Sequence, residues 1–408
     1  MIKSTKTLIT TIATNIKQNT HIEQIMYQLM IMFSIIAFCI LIWFYYKHTR
    51  NKNKRHQTLP NVALNQSISS SIAYVPTTTI NHNNNNNNNN NIDPNQPTAY
   101  PLRDYYILAS YNTCVTGPYN NGTISIQSLR NALALGFRFL DFEIYSEEGS
   151  DNPIVACSTL NPSFGVYPIQ TDNPLLFSEV MQHLTTYAFV NYGCMNFTDP
   201  LIINLRIKTT NTNIPTKLAS IFQKYENFIL GPKYSFNSNN TNFGQTLLPK
   251  LIKKISIFVE SINDTYVQNK AFMEYVNMCN HLDYLSVKTW SEFKLNTIST
   301  EDSIRYNKQN MSIIIPDVDV INPVNKMIQG YQLVGCQIVC LMISQDNDAA
   351  FTESINMFNT NHSAFVLKPD HLRYIPEQIT PPIPQLPKYS YKPRQIELPD
   401  SINLKLQI

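Results

Sequence analysis

The sequence predicts an α/β protein built on a TIM-type (β/α)8 barrel, preceded by one transmembrane helix and a disordered linker. Three observations support this prediction. An apolar run lies near the N-terminus, a polar asparagine-rich stretch follows it, and short β-rich apolar runs then alternate with amphipathic segments. Such alternation is typical of a parallel sheet with crossover helices. The 408-residue chain is long enough for a barrel of about 200–250 residues with additional segments.

The apolar run at residues 25–46 predicts a transmembrane helix, and a polar segment, residues 1–24, precedes it. The run carries no charge, and at about 1.5 Å per residue it can span a hydrocarbon core of roughly 30 Å. Basic residues from Lys47 to Arg55 follow it, which favours a cytoplasmic C-terminal side. We therefore expect a single-pass protein with the lipid bilayer as a partner. A signal peptide is the alternative interpretation, disfavoured by the late start of the run.

The segments on either side of the predicted barrel are polar or proline-rich. Residues 47–96, which include an unbroken asparagine run from Asn83 to Asn91, have too little apolar surface to offset chain entropy, so we expect a disordered linker. Such asparagine use fits an A+T-rich genome, for example that of a large DNA virus, and hence a viral or host intracellular membrane. The proline-rich segment 375–408 predicts an extended tail that packs on the barrel or binds a protein partner.

Charge and cysteine usage exclude several classes of function. The net charge of +3 is small for this length, and no basic helix interleaves with aromatic residues, so a nucleic-acid partner is not expected. The seven cysteines are scattered and form no Cys-x-x-Cys pair, which argues against a zinc site and a disulfide framework. We expect free thiols in a reducing compartment.

Eight short apolar runs are candidate strands, with amphipathic segments between them as candidate helices. The predicted strands are residues 137–144, 153–156, 201–207, 255–259, 284–287, 313–315, 338–343 and 364–367. The predicted helices are residues 125–135, 176–187, 214–224, 264–278 and 349–359. In such barrels the chemistry collects at the C-terminal ends of the strands.

Three short motifs share one family resemblance. Residues 109–114 (ASYNTC), 136–145 (GFRFLDFEIY) and 153–157 (PIVAC) resemble the signature segments of phosphoinositide-specific phospholipases C, a family of PLC-like phosphodiesterases. Further elements at 187–206, 248–260, 335–339 and 364–369 follow in collinear order, and the last two are similar to the family's second half-barrel. The resemblance implies a barrel over residues 97–374 and an activity as a phosphoric diester hydrolase of lipid metabolism.

Both positions that match the family's catalytic histidines carry other residues. Tyr111 stands where the first histidine would be and Cys157 where the second would be. With reference pKa values of about 10 and 8.5, a phenol and a thiol are poor substitutes for an imidazole at neutral pH. Since each lost acid–base group typically costs 10²–10⁴-fold in rate, we expect a divergent, inactive member.

The calcium site implied by the resemblance is retained only in part. Asn112, Asp141 and Glu143 match three oxygen ligands, whereas Arg206 replaces the fourth. A guanidinium would repel calcium, so no cofactor is expected, and calcium stays a doubtful candidate. We expect Arg206 to pair directly with Asp141 or Glu143.

The positions that match the family's phosphate-binding lysines are also changed. Phe258 and Glu260 occupy them, and the family's basic substrate loop is shortened to a segment at residues 317–323. Acidic groups thus replace basic ones, and we expect a multiply phosphorylated inositol to bind poorly.

Three interpretations of function stay open from the sequence. The favoured one is a membrane-anchored, catalytically inactive phospholipase C-like protein with a binding or structural role. The second is a divergent phosphodiesterase acting on a phospholipid or a glycerophosphodiester, through Cys157 or a residue not identified from the sequence. The third is an architectural membrane protein of a large DNA virus particle.

Overall fold

The computed structural model describes residue 10 and residues 26–43, 99–161, 167–236, 242–261, 264–281, 283–293, 299–317, 324–343, 348–375, 394–397 and 403–406. The chain divides into two compact units, Met1–Arg373 and Tyr374–Ile408. The second unit contains the antiparallel hairpin of β14 (Arg394–Glu397) and β15 (Asn403–Leu406). The predicted linker at 47–96 and most of the predicted tail at 375–408 lie outside the described residues.

The first unit contains the remaining elements. Its strands are β1 (Tyr105–Ser110), β2 (Val115–Thr116), β3 (Thr123–Ile124), β4 (Phe139–Ser146), β5 (Pro153–Ala156), β6 (Leu175–Leu176), β7 (Leu201–Ile207), β8 (Ile255–Ser261), β9 (Val276–Cys279), β10 (Leu285–Thr289), β11 (Met311–Ile315), β12 (Ile338–Leu341) and β13 (Phe365–Leu367). Its helices are α1 (Met26–Trp43), α2 (Ile126–Ala134), α3 (Phe177–Tyr187), α4 (Ile214–Lys224), α5 (Lys270–Met273), α6 (Thr300–Gln309), α7 (Gln329–Gln332) and α8 (Ala349–Thr360). Short 3-10 turns span Leu102–Asp104, Pro232–Tyr234, Phe243–Gln245, Leu248–Leu251, Asp264–Gln268 and Asp370–Leu372.

Eight parallel strands form a nearly closed barrel, which confirms the predicted TIM-type fold. They follow the order β10-β11-β12-β1-β4-β7-β8-β9, and every neighbouring pair in this path is parallel. The seam lies between β9 and β10. Strands such as β7 (LIINLRI) are buried along their whole length because the barrel interior covers one face and the helices cover the other.

Two of the predicted barrel strands do form strands, but neither is one of the eight parallel strands of the barrel. The segment 153–156 forms β5, which pairs antiparallel with β4 in an excursion beyond the barrel, and β13 pairs antiparallel with β1. The two barrel strands that the sequence reading missed are β1 and β9. The latter fell inside a helix predicted at 264–278, because a four-residue buried strand has too little period to be distinguished from a helix.

Helix α1 corresponds to the predicted membrane span. Among the described residues it is the one helix long and apolar enough to cross a bilayer, and none of its length is buried against the rest of the chain. Its length and composition are compatible with an anchor.

Two motifs of the second half-barrel build a buried network at the end where the strands begin. The Gln337 side-chain nitrogen lies within 3.0 Å of the backbone carbonyls of Arg103, Asn307 and Asn310. Lys368 is also buried and donates from Nζ to the Asn307 carbonyl at 3.0 Å. Burial lowers the pKa of Lys368 to about 7, although nearby Asp104 opposes the shift. These residues therefore have a structural role in the barrel.

Candidate functional site

Three adjacent strands place the predicted site residues in two rows across the barrel interior. The first row is Asp141, Asn204 and Phe258 on β4, β7 and β8, which are direct register partners. The second row, two residues further along each strand, is Glu143, Arg206 and Glu260. Because alternate residues of a strand share a face, the side chains of both rows point into the barrel interior. The second row lies nearer the C-terminal ends of the strands.

The turn after β1 adds Tyr111 and Asn112 to this interior. Asn112 has a φ of 42°, in the left-handed region that asparagine tolerates better than most residues. Its backbone N–H donates to Asp141 Oδ2 at 3.0 Å, and Thr113 Oγ1 accepts from the backbone N–H of Asp141 at 3.0 Å. These bonds fix the turn against β4, so the position of Asn112 depends on Asp141.

Arg206 lies at the centre of the site and is buried. It donates from Nε to Asp141 Oδ1 (3.0 Å), from Nη2 to Asp141 Oδ2 (2.8 Å) and Asn112 Oδ1 (2.7 Å), and from Nη1 to Glu143 Oε1 (2.9 Å) and the Tyr111 hydroxyl (3.4 Å). A guanidinium has five N–H groups, and all of them are used here. The predicted pairing is confirmed, and it involves both acids rather than one.

The carboxylate oxygens of both acids are likewise occupied. Asp141 Oδ1 accepts a second bond from Asn204 Nδ2 at 2.9 Å. Glu143 Oε2 accepts from the Tyr145 hydroxyl at 2.7 Å and from the Ser158 backbone N–H at 3.3 Å. Every oxygen of the two acids therefore has at least two donors, and their charges face one guanidinium in a region closed to water.

Tyr111 packs its ring on Arg206, whose Cζ lies 4.5 Å from the ring centroid. A T-shaped contact with Tyr119, at 5.4 Å between centroids, covers another side of the ring. Burial raises the pKa of Tyr111 well above its ordinary value, although Arg206 opposes the shift. The phenol stays protonated at neutral pH and cannot take a proton from a substrate hydroxyl.

Cys157 follows β5 and is also buried. Its Sγ accepts a hydrogen bond from Asn112 Nδ2 at 3.0 Å. Burial, and after it the charge of Glu143, raises the pKa of Cys157 well above its ordinary value. The group at the second histidine position is thus a neutral thiol with a negligible thiolate fraction.

These residues do not fit a calcium ion. The oxygens of Asn112, Asp141 and Glu143 that would coordinate it accept hydrogen bonds from Arg206 instead. Calcium needs six to eight oxygens, and a guanidinium among them would repel it. Within the described part of the chain, no group of three or more His, Cys, Asp or Glu residues is arranged to hold a metal ion.

Phe258 and Glu260, which match the family's phosphate-binding lysines in the sequence, lie in different environments. Phe258 is fully buried and meets Phe139 and Phe243 edge to face at 6.2 and 6.0 Å, so it closes the interior below Arg206. Glu260 is partly exposed as a residue, yet its Oε2 is buried without a hydrogen-bond partner. Burial raises the pKa of Glu260 and the neighbouring Asp141 and Glu143 add to the shift, while Arg206 opposes it. Neither side chain offers positive charge to a phosphate. Most of the shortened substrate loop, at 318–323, lies outside the described residues.

Sequence reasoning missed three residues of the site. Asn204 and Tyr145 each hold an acid in place, and Ser158 donates its backbone N–H. The signal for the first two was present: Asn204 stands two positions before Arg206 and Tyr145 two after Glu143, so each shares a strand face with a residue already identified.

Comparison with known families confirms the resemblance carried by the motifs. Residues 98–260 match the family described as phosphatidylinositol-specific phospholipase C, X domain. This range includes both rows of the site and the turn after β1. No curated protein matches the sequence at a significant level.

Two solved structures share the fold at low sequence identity, and a third has a weaker similarity. PLC21 of S. officinalis is 20% identical, with a TM-score of 0.56 and coverage of 70% of this chain and 39% of that one. PLC21 of L. pealei is also 20% identical, with a TM-score of 0.55 and coverage of 68% and 38%. A Ca²⁺-dependent phosphatidylinositol-specific phospholipase C from Streptomyces antibioticus is 10% identical, with a TM-score of 0.39 and coverage of 66% and 99%. The chain thus spans about two fifths of the length of the two PLC21 structures.

Proposed function

We propose that this chain, whose residues 98–260 match the X domain of phosphatidylinositol-specific phospholipase C, is a membrane-anchored and catalytically inactive relative with a binding or structural role. One observation carries the proposal. Arg206, at the position that matches the family's fourth calcium ligand, donates hydrogen bonds to Asp141, Glu143, Asn112 and Tyr111 at once.

The described residues at the positions that match the family's site are poorly suited to each of the three tasks in phosphodiester cleavage by an adjacent hydroxyl. The reaction needs a base on the attacking hydroxyl, an acid on the leaving oxygen, and positive charge over the phosphoryl oxygens. Tyr111 and Cys157 are buried neutral groups with raised pKa values, so neither supplies proton transfer. The charge of Arg206 is already compensated by two carboxylates, so little of it is left for a phosphate.

A structural role in the interior hydrogen-bond network explains why the chain carries Asp141 and Glu143. Asp141 holds the turn after β1, Arg206 on β7 and Asn204 through separate bonds. A buried network in which a guanidinium and two carboxylates are paired stabilises one arrangement of the strands. The motif residues would then maintain the barrel itself, while the anchor α1 keeps that barrel at a membrane.

A substrate panel tests the proposal. The purified full chain in detergent is incubated with labelled phosphatidylinositol, lysophospholipids and glycerophosphodiesters, with and without calcium. We expect no turnover above that of a Cys157→Ala control in any condition. Turnover that Cys157→Ala abolishes would instead establish a divergent phosphodiesterase, the class of reaction associated with the fold.

A further inference from the structure

We propose that the end of the barrel where the parallel strands begin, opposite to the Arg206 cluster, docks on an anionic bilayer surface. The bilayer is the one that holds α1, so the inference rests on the proposed membrane anchoring. Three features of the structure meet at this end: exposed apolar side chains, a group of lysines, and the point where the chain from the anchor joins the barrel.

The apolar side chains lie in two neighbouring segments. The loop between α3 and β7 exposes Val190, Tyr192 and Met195, and Tyr192 is 87% exposed. The segment before β8 exposes Ile252. The two segments are adjacent because β7 and β8 pair in parallel from their first residues, and the Leu201 N–H donates to the Lys254 carbonyl at 3.0 Å. Exposed tyrosine and aliphatic groups are suited to the headgroup boundary of a bilayer.

Lysines lie beside the second of these segments. Lys250, Lys253 and Lys254 flank Ile252, and Lys224 ends α4 nearby. Lys254 Nζ donates to the Asn227 carbonyl at 2.6 Å. The next residue, Phe228, stacks on Phe189 at 6.3 Å between ring centroids, which connects the lysine segment to the loop that carries Tyr192.

Acidic residues are few on this surface. Glu226 and Glu274 lie at its edge, where both act on Tyr275. In the two described segments, 189–196 and 249–254, lysines are present and carboxylates are not, and apolar groups beside lysines are complementary to a bilayer that contains anionic lipid.

The chain from the anchor reaches the barrel beside these lysines. The Tyr100 carbonyl accepts from the Leu248 N–H at 3.0 Å, and the Leu102 N–H donates to the Thr246 carbonyl at 2.9 Å. Residues 100–102 are therefore fixed against the segment that leads into Lys250. The first described residues of the barrel therefore lie beside the proposed docking surface.

The opposite end is less suited to an anionic surface. Its loops around β5 carry four carboxylates, with two lysines near them: Glu147, Glu148, Asp151 and Asp172, and Lys208 and Lys217. Docking through the strand-start end would turn the Arg206 cluster away from the lipid.

Hydrogen exchange on the full chain in vesicles tests the docking. The chain is reconstituted into phosphatidylcholine vesicles with and without phosphatidylserine, and exchange is measured by mass spectrometry over 189–196 and 249–254. We expect slower exchange of both segments in the anionic vesicles. Because one lysine near an anionic surface contributes about a fivefold factor, Lys250→Gln with Lys253→Gln should weaken docking roughly 30-fold and abolish the difference.

The controls separate docking from anchoring. Lys217→Gln with Lys326→Gln removes the same charge from exposed positions near the other end and should leave the protection unchanged. Release of the chain by alkaline carbonate would overturn the anchoring by α1 and with it the premise. A retained chain that exchanges equally in both vesicles, or that is protected at 147–152 instead, would overturn the docking alone.

Discussion

Arg206 and Asp141 form a two-pronged ion pair inside the barrel, with Nε to Oδ1 at 3.0 Å and Nη2 to Oδ2 at 2.8 Å, and both side chains are buried. The pair joins β7 to β4 and neutralises charge that would otherwise be costly to bury. Glu143 shares the same guanidinium, so one cation compensates two acids. This arrangement gives Asp141, Glu143 and Arg206 a structural role that does not depend on catalysis.

Replacement of Arg206 should strongly destabilise the barrel. Arg206→Met leaves Asp141 and Glu143 buried without a cation, and breaking a buried pair in this way costs roughly 3–5 kcal/mol. Thermal and denaturant unfolding of the full chain in detergent measures the loss. An exposed-site control, Arg305→Met, removes a surface pair with Asp302 and should cost less than about 1 kcal/mol. Equal stability of Arg206→Met and the parent chain would contradict the role assigned to Arg206.

The Cys157 thiol should be unreactive in the folded protein. It is buried and its pKa is raised, so thiolate-dependent alkylation by iodoacetamide at pH 8 should be far slower than after unfolding in urea. Peptide mass spectrometry identifies the alkylated cysteines. Rapid selective labelling of Cys157 in the folded chain would instead indicate an activated nucleophile and favour a divergent enzyme.

The buried Lys368 should make the free energy of unfolding increase as the pH rises above neutrality. Its pKa is about 7 in the folded state and about 10.4 when unfolded, so the unfolded chain binds more protons between these values. Stability should therefore rise with pH from about 7 upward, by at most about 1.4 kcal/mol per pH unit from this group. Lys368→Met should remove that rise, because the Asn307 carbonyl still has Gln337 as a donor.

Unfolding of the parent chain and Lys368→Met, measured from pH 6.5 to 9, checks this prediction. The stability of the parent chain relative to that of Lys368→Met should increase as the pH rises. A constant difference between them would mean that Lys368 stays charged in the folded state.

The fold class and the ion pair of Arg206 with the two acids could be predicted from the sequence, whereas the complete set of barrel strands could not. Asp141, Glu143 and Arg206 sit in long apolar runs whose register aligns them once parallel strands are assumed, so their meeting followed from the topology. Strand β9 and the excursion strand β5 are both four residues long. Whether so short a strand joins the barrel depends on tertiary packing, which sequence periodicity does not encode. The contribution of Tyr145 could have been found from the sequence, because it lies two residues after Glu143 on the same strand face and its hydroxyl donates to that carboxylate.

The most direct test of the central claim is whether calcium binds where Arg206 lies. Thermal unfolding of the full chain in detergent is measured with EDTA and with millimolar calcium, for the parent chain and for Arg206→Glu, which restores a carboxylate beside Asn112, Asp141 and Glu143. The parent chain should unfold at the same temperature in both conditions. The less stable variant should unfold at a higher temperature with calcium than with EDTA, because binding to the folded state alone stabilises it. Calcium-dependent stabilisation of the parent chain that Asp141→Asn abolishes would contradict the account.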